Sequence, residues 1–400
     1  MDNDRKSEKT PLQKKMFKNI IFLGLVSFFA DISSEMVYPL IPLYLTAVFG
    51  TTPVLVGVIE GIAESIASLL KVFSGYISDK YDRKKPIAFL GYASGLLYKL
   101  ALLFAGSWMG ILGARIVDRF GKGIRTAPRD VMVSESADKT QMGKSFGIHK
   151  ALDMAGSAIG ILLSFILLKN LGEGAYKTIF AISAIPVLMA LSMFFFIQEK
   201  RELRAVTQRE SFWKNIRNLN GNLKLYLCVT FLFTLGNSSN TFLLLKANDI
   251  GFSNTDVILL YFVYNITTAL LAIPFGKRSD RVGRKKVLVF GYITFSLVYL
   301  LFAFASQKWV LVAAFVLYGF YTAMVAGVER AFISEIAPKK LKGTMLGLHS
   351  TLVGIALLPA SIIAGALWDA AGAAVPFLFG AMLSGAAALI LGLFFKAKPD

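Results

Sequence analysis

Seven charged side chains fall within sixteen residues of an otherwise apolar stretch: Arg115, Asp118, Arg119, Lys122, Arg125, Arg129 and Asp130. On a helix turning about 100° per residue they share one face roughly 140° wide, while Ile116, Val117, Phe120, Ile124 and Ala127 take the other. A charge at the centre of a bilayer costs about 2.5–3.5 kcal/mol on insertion scales, so a face like this looks at water or at counter-charges. Acids able to balance it stand elsewhere: Asp31 and Glu35 share a helical face with Tyr38, Glu60 shares one with Glu64, and Asp153 shares one with His149, Lys150 and Ser157. The chemistry open to such a set is reversible protonation, because burial and a nearby guanidinium pull a carboxyl in opposite directions. The spacing predicts a proton-coupling set of Asp31, Glu35, Glu64, Asp118, Arg119 and Asp153, with Asp31 or Glu35 as proton carrier and Arg119 or Arg115 as positive switch. Fixed ion pairs holding helices together are the alternative; against it, small residues would join helices without the desolvation cost.

The elements that must position these residues are membrane helices. With 55% hydrophobic residues, 33 Phe and a mean hydropathy of +0.60, the 400-residue chain is not a soluble globule. Apolar segments able to cross a hydrocarbon core of about 30 Å recur throughout. Twelve are expected, over 18–48, 53–79, 86–106, 108–132, 144–168, 174–197, 223–247, 254–277, 287–306, 308–334, 344–368 and 374–396. The net charge is +18, and Lys and Arg pile up in alternate connections, such as 80–85, 200–224, 277–286 and 339–342. That distribution argues against nucleic acid, predicts a lipid-embedded chain with both termini cytoplasmic, and requires an even number of spans. The single Cys228 lies in an apolar run and is expected to pack inertly.

The sequence repeats itself. Residues 75–85 (GYISDKYDRKK) return as 276–286 (GKRSDRVGRKK), and Ser134, Glu135, Gly143, Gly147 and His149 return 200 residues later at Ser334, Glu335, Gly343, Gly347 and His349. A duplicated unit follows, giving a six-span bundle over 1–197, a basic cytoplasmic linker over 198–222 and a second six-span bundle over 223–400. The doubled pattern Gly-x-x-x-Asp-Arg-x-Gly-Arg-Lys-Lys resembles the loop signature of the major facilitator superfamily; 276–286 match it fully, and 75–85 depart at Lys80 and Asp82. Residues 119–127 (RFGKGIRTA) resemble the superfamily's fourth-helix motif, and Gly156 to Gly160 its fifth-helix glycine motif of antiporters, without the proline. The run Asp118 to Asp130, together with 327–331 (GVERA), is similar to a bacterial branch in which some permeases are linked to nickel resistance.

This resemblance implies an all-α membrane protein of twelve transmembrane helices in two pseudo-symmetric bundles, working by alternating access in a bacterial inner membrane. It also implies a cytoplasmic gate, assigned here to Asp79, Arg83, Glu135, Asp280, Arg281, Arg284 and Glu335. Substrate contacts are expected from Arg115, Lys122, Arg125 and Tyr38 in the first half and from Asn237, Asn240, Tyr261 and Asn265 in the second, whose deep positions are neutral. The basic stripe suggests an anionic or zwitterionic group on the substrate, and the incomplete glycine motif suggests export. A divalent-metal exporter using acidic oxygens and a non-transporting sensor or scaffold are the other readings. With two His and one Cys, a His-and-thiol metal site is not expected. No Walker A loop, nucleophile elbow or dinucleotide fingerprint appears, so neither enzyme activity nor a cofactor is expected, and the chain is expected to be a monomer.

Overall fold

The structure, a computed structural model, describes residues 11–81, 83–136, 142–172, 174–199, 220–325, 327–337 and 342–395. The side chains of 11–15, 71–81, 142–147, 334, 342–344 and 346–347 lie outside that description, as do the gate candidate Asp79 and most of the expected linker. Span 1 is Pro11–Val37 followed by Leu40–Phe49; span 2 is Pro53–Tyr81, span 3 Lys84–Phe104, span 4 Trp108–Glu135, span 5 Met142–Leu171, and span 6 Tyr176–Ile182 with Ala184–Met193. Span 7 is Gly221–Gly236 with Thr241–Asp249, span 8 Asn254–Val282, span 9 Arg284–Phe304, span 10 Lys308–Val325 with Val328–Ile336, span 11 Lys342–Ala371 and span 12 Val375–Phe394.

Eleven of these are both long and apolar enough to cross a membrane, and the exception is span 4. At 28 residues it reaches about 42 Å. Its charged stripe is what spoils its hydropathy. That stripe turns inward: Arg115, Asp118, Arg119 and Arg125 are buried while Phe120 is exposed. The helix therefore presents its apolar side outward and its polar side to its neighbours, and twelve helices span as the periodicity predicts.

Four spans expected to be continuous, 1, 6, 7 and 10, are broken. Span 7 opens at Asn237–Asn240, where an Asn-Ser-Ser-Asn run offers side-chain partners that compete with helical hydrogen bonds. Such breaks are tolerated at membrane depth where they line a polar cavity. Cys228 also departs from expectation, being exposed on span 7 instead of packed.

The repeat is visible as repeated contacts. Lys85 Nζ donates to the Ile197 carbonyl at 2.7 Å, and Lys285 Nζ to the Phe395 carbonyl at 2.7 Å, each tying the start of a third span to the end of a sixth. Lys84 pairs with Glu135 at 3.0 Å; correspondingly, Arg284 pairs with Glu335 at 2.6 Å and with Asp280 at 2.9 Å. Gly283 has φ +95°, which explains the glycine in the loop signature. Arg83 and Arg281 are exposed.

The bundles meet along spans 2 and 11. A β-carbon on Gly57 would come within 2.3 Å of the Ser361 carbonyl oxygen, and one on Gly365 within 2.4 Å of Val54 Cα. Ser65 Oγ donates to the Gly354 carbonyl at 2.6 Å, and Asn254 Nδ2 to Tyr176 Oη at 3.0 Å. Val54, Gly365, Tyr176 and Asn254 all belong to the end away from the basic connections. Inside the first bundle, span 5 seats on span 1 through Gly156 and Gly160, whose β-carbons would lie 2.3 and 2.5 Å from the carbonyl oxygens of Phe28 and Ile32. Small residues let helix backbones approach in this way. The glycine pattern thus brings Asp153 against Asp31. Replacing Gly160 with leucine is expected to cost about 1–3 kcal/mol through overpacking, lowering the unfolding temperature in detergent by several degrees. Gly113→Leu, built into open space, is the control expected to unfold at the wild-type temperature; equal unfolding temperatures for both variants would contradict the close seating.

Candidate functional site

Spans 1, 2, 3, 4, 7 and 8 surround a cavity of about 120 Å³ lined by Ser34, Glu35, Tyr38, Glu64, Tyr98, Arg115, Asp118, Arg119, Lys122, Asn240 and Tyr261. Its first-bundle wall is ionic. Arg119 bonds Glu64 at 2.7 Å, and Asp118 lies between Arg115 and Arg119 at 3.5 and 3.6 Å. Behind that layer, Arg115 bonds Glu60 at 2.5 Å, with both side chains only 1% exposed. A pair so fully desolvated, with geometry this close, is a fixed rivet between spans 2 and 4. Tyr38 lies beside both guanidinium groups, its ring centroid 5.3 Å from Arg115 Cζ and 5.6 Å from Arg119 Cζ.

Two features of this wall are not closed. Lys122 lines the cavity, and no ion pair holds it among the described residues. Glu60 Oε1 and the Nε atoms of Arg115 and Arg119 are buried without a hydrogen-bond partner. Lys122 reaches the cavity, whereas those three atoms are enclosed in the wall behind it.

The second-bundle wall is neutral and held in place. Asn240, in the break of span 7, donates to Tyr264 Oη at 3.1 Å and accepts from Tyr318 Oη at 2.7 Å. Tyr261 Oη donates to Glu35 Oε2 at 3.2 Å, a bond that crosses from one bundle to the other. The repeat relation accounts for the contrast between the walls. Lys99, Arg115 and Asp118 correspond, 200 residues on, to Tyr299, Phe315 and Tyr318, all buried in aromatic contacts. The same positions carry charge in one bundle and rings in the other.

One turn from Glu35 towards the basic end, the Asp31 and Asp153 carboxyls face each other across the seam of spans 1 and 5, and Lys150 bonds Asp153 at 2.6 Å. Of the expected coupling set, Glu35, Glu64, Asp118 and Arg119 share the cavity, while Asp31 and Asp153 form a neighbouring pair. Of the expected substrate contacts, Tyr38, Arg115, Lys122, Asn240 and Tyr261 line the cavity. Arg125 is instead buried over the Tyr92 ring, 4.3 Å from its centroid, and Asn237 and Asn265 are spent on Tyr321 Oη and the Tyr261 carbonyl at 3.0 and 2.8 Å. The acids considered for a metal, Asp31, Glu35 and Glu64, do not converge, and among the described residues no three His, Cys, Asp or Glu gather as a metal site requires. Lys99 was not anticipated: it is 1% exposed, donates to the Ser33 carbonyl at 3.1 Å and sits over the Tyr98 ring. Its signal was a lone lysine inside the apolar run of span 3.

Comparison with known proteins agrees with this architecture. The sequence profile described as Major Facilitator Superfamily matches residues 23–242 and 225–400. An uncharacterised transporter of that type from Methanocaldococcus jannaschii is 38% identical, the alignment covering 94% of this chain and 95% of the relative. The fosmidomycin resistance protein of Escherichia coli is 25% identical, over 80% of this chain and 78% of the relative. Among solved structures, a D323A mutant of the nucleoside transporter NupG superposes with a TM-score of 0.78 at 12% identity, covering 94% of this chain and 98% of that one. The chain is a multi-pass membrane protein and belongs to the Major Facilitator Superfamily of transporters.

Proposed function

We propose that this protein is a proton-coupled exporter of a small organic anion or zwitterion that works by alternating access around the central cavity. The observation that carries the reading is the bond from Tyr261 to Glu35, because it makes the charge of one carboxyl part of the contact between bundles. An ionised carboxylate accepts a hydrogen bond about twice as strongly as a neutral group does. Protonating Glu35 weakens the bridge and frees the bundles to rock; deprotonation restores it. With both termini read as cytoplasmic, the end closed by Val54, Gly365, Tyr176 and Asn254 faces outward. Lys122, which no ion pair holds among the described residues, is placed to meet an anionic substrate opposite Asn240 and Tyr261. The resistance named for the Escherichia coli relative supports export.

Substrate-driven proton movement into proteoliposomes, followed with a pH dye across a panel of small anions that includes fosmidomycin, is the direct test. The wild type is expected to move protons. Arg119→Ala is expected to reach the membrane but to lose coupled transport; full activity there would reject its role. A sensor or scaffold would move no protons with any compound. Glu35→Gln is expected to retain substrate exchange while becoming insensitive to an imposed pH gradient, and a gradient response equal to wild type would exclude Glu35 as carrier. Lys122→Gln, losing one charge-assisted bond of about 1.5–3 kcal/mol, is expected to raise KM at least about tenfold, with Lys122→Arg close to wild type. An unchanged KM in Lys122→Gln would remove the anion assignment.

A further inference from the structure

A second buried polar cluster lies one helical turn, about 6 Å, from the Asp31 and Asp153 pair, on the side of the basic connections. Ser27 Oγ is at its centre, 3.1 Å from His149 Nε2, 3.0 Å from Tyr92 Oη and 3.3 Å from Arg129, whose guanidinium donates to it. Ser27, Tyr92 and His149 are 1%, 2% and 4% exposed. Arg129 in turn bonds Asp130 at 2.8 Å, and the Asp130 side chain is 45% exposed. Ser27 and Asp31 are four residues apart on span 1, and His149 and Asp153 four apart on span 5, so the two clusters form successive rungs between the same two helices. Glu35 continues the series one turn further on span 1.

We infer that these rungs are a proton path through the first bundle, in which His149 relays protons between the Asp31 and Asp153 pair and the basic face of the protein. The inference rests on the proton-coupled reading above and adds the route to it. Two carboxyls that face each other in a buried seam hold together by sharing one proton, because two adjacent charges of the same sign repel. In one passage the pair gives up that proton to one imidazole nitrogen, and His149 becomes an imidazolium. Its other nitrogen then releases a proton to Asp130 or to solvent beside it, which restores the neutral ring; rotation about its side-chain bonds resets which nitrogen carries the hydrogen, and the carboxyl pair takes its next proton from the Glu35 side. The ring is buried, and charged groups of both signs face it. Arg129 on span 4 and Lys150 on span 5 repel an imidazolium, while Asp130 on span 4 and Asp153 on span 5 attract it, and the partners from spans 1 and 3, Ser27 and Tyr92, are neutral.

The second bundle supplies an internal control. Tyr92, Arg129 and His149 recur 200 residues on as Tyr292, Glu329 and His349, but Asp153 recurs as Val353. There the arrangement is different: Tyr292 Oη donates to Glu329 at 2.9 Å, and His349 stacks on Tyr226 with its buried Nε2 unpartnered. The carboxyl rung is present only beside His149.

The test is time-resolved infrared spectroscopy of the full-length protein in nanodiscs after a pH jump, which needs no substrate. The carboxylic acid band of the pair is assigned by its loss in Asp31→Asn. His149→Gln keeps a side chain that can bond Ser27 and is expected to retain the band, while slowing its response at least about tenfold; Ser27→Ala is expected to slow it as well. Wild-type kinetics in both variants would overturn the relay while leaving the carboxyl pair intact. A wild-type protein with no titrating carboxylic band would instead overturn the proton-coupled reading itself. If His149→Gln does not fold, Ser27→Ala and Tyr92→Phe decide the question by the same criterion.

Discussion

Charge inside the bilayer must be compensated, and in this protein that constraint shapes the whole first bundle. Arg115 and Glu60, each 1% exposed, are the clearest case: neither could be inserted alone without several kcal/mol of desolvation, and together they fix span 4 against span 2. With span 4 anchored, the rest of its stripe is presented to the cavity at defined heights. Arg119 reaches Glu64, Asp118 divides itself between two arginines, and Lys122 is left over. The rivet and the leftover cation come from one helix and have opposite consequences. One is structural, and the other is open to a ligand.

The division between the bundles follows from the same arithmetic. Where the first bundle has Lys99, Arg115 and Asp118, the second has Tyr299, Phe315 and Tyr318, so an ancestral packing position serves electrostatics in one copy and ring contacts in the other. An aromatic wall needs no counter-charges and can be rigid. An ionic wall carries groups whose protonation can change. Placing one against the other, with Tyr261 bonded to Glu35 across the gap, gives the contact on which the proposed proton coupling rests.

Much of this was legible in the sequence, for definite reasons. The period of the apolar segments gives twelve spans, the 200-residue offsets give two bundles, and the stripe of span 4 gives an inward polar face, because each depends on spacing along one helix. Contacts between helices were less accessible. Face arithmetic put Arg125 with Arg119 and Lys122 on one side of span 4, yet Arg125 turns to Tyr92, since a face about 140° wide touches more than one neighbour. Spacing marks both Asp31 and Asp153 as acids of the polar faces, but their approach across 122 residues depends on Gly156 and Gly160 seating span 5 on span 1. Lys99 was hidden by the apolar residues around it, and the break in span 7 by a hydropathy that averages over it.

The central claim is that the charge of Glu35 sets the equilibrium between the two bundles. Electron–electron distance measurement between spin labels at Thr52 and Asn248, both exposed at the closed end, in a Cys228→Ser background, tests it most directly. Lowering the pH should shift the distribution from a short to a long distance in the wild-type protein, and Glu35→Gln should show the low-pH distribution at every pH. A wild-type distribution that does not respond to pH would contradict the account.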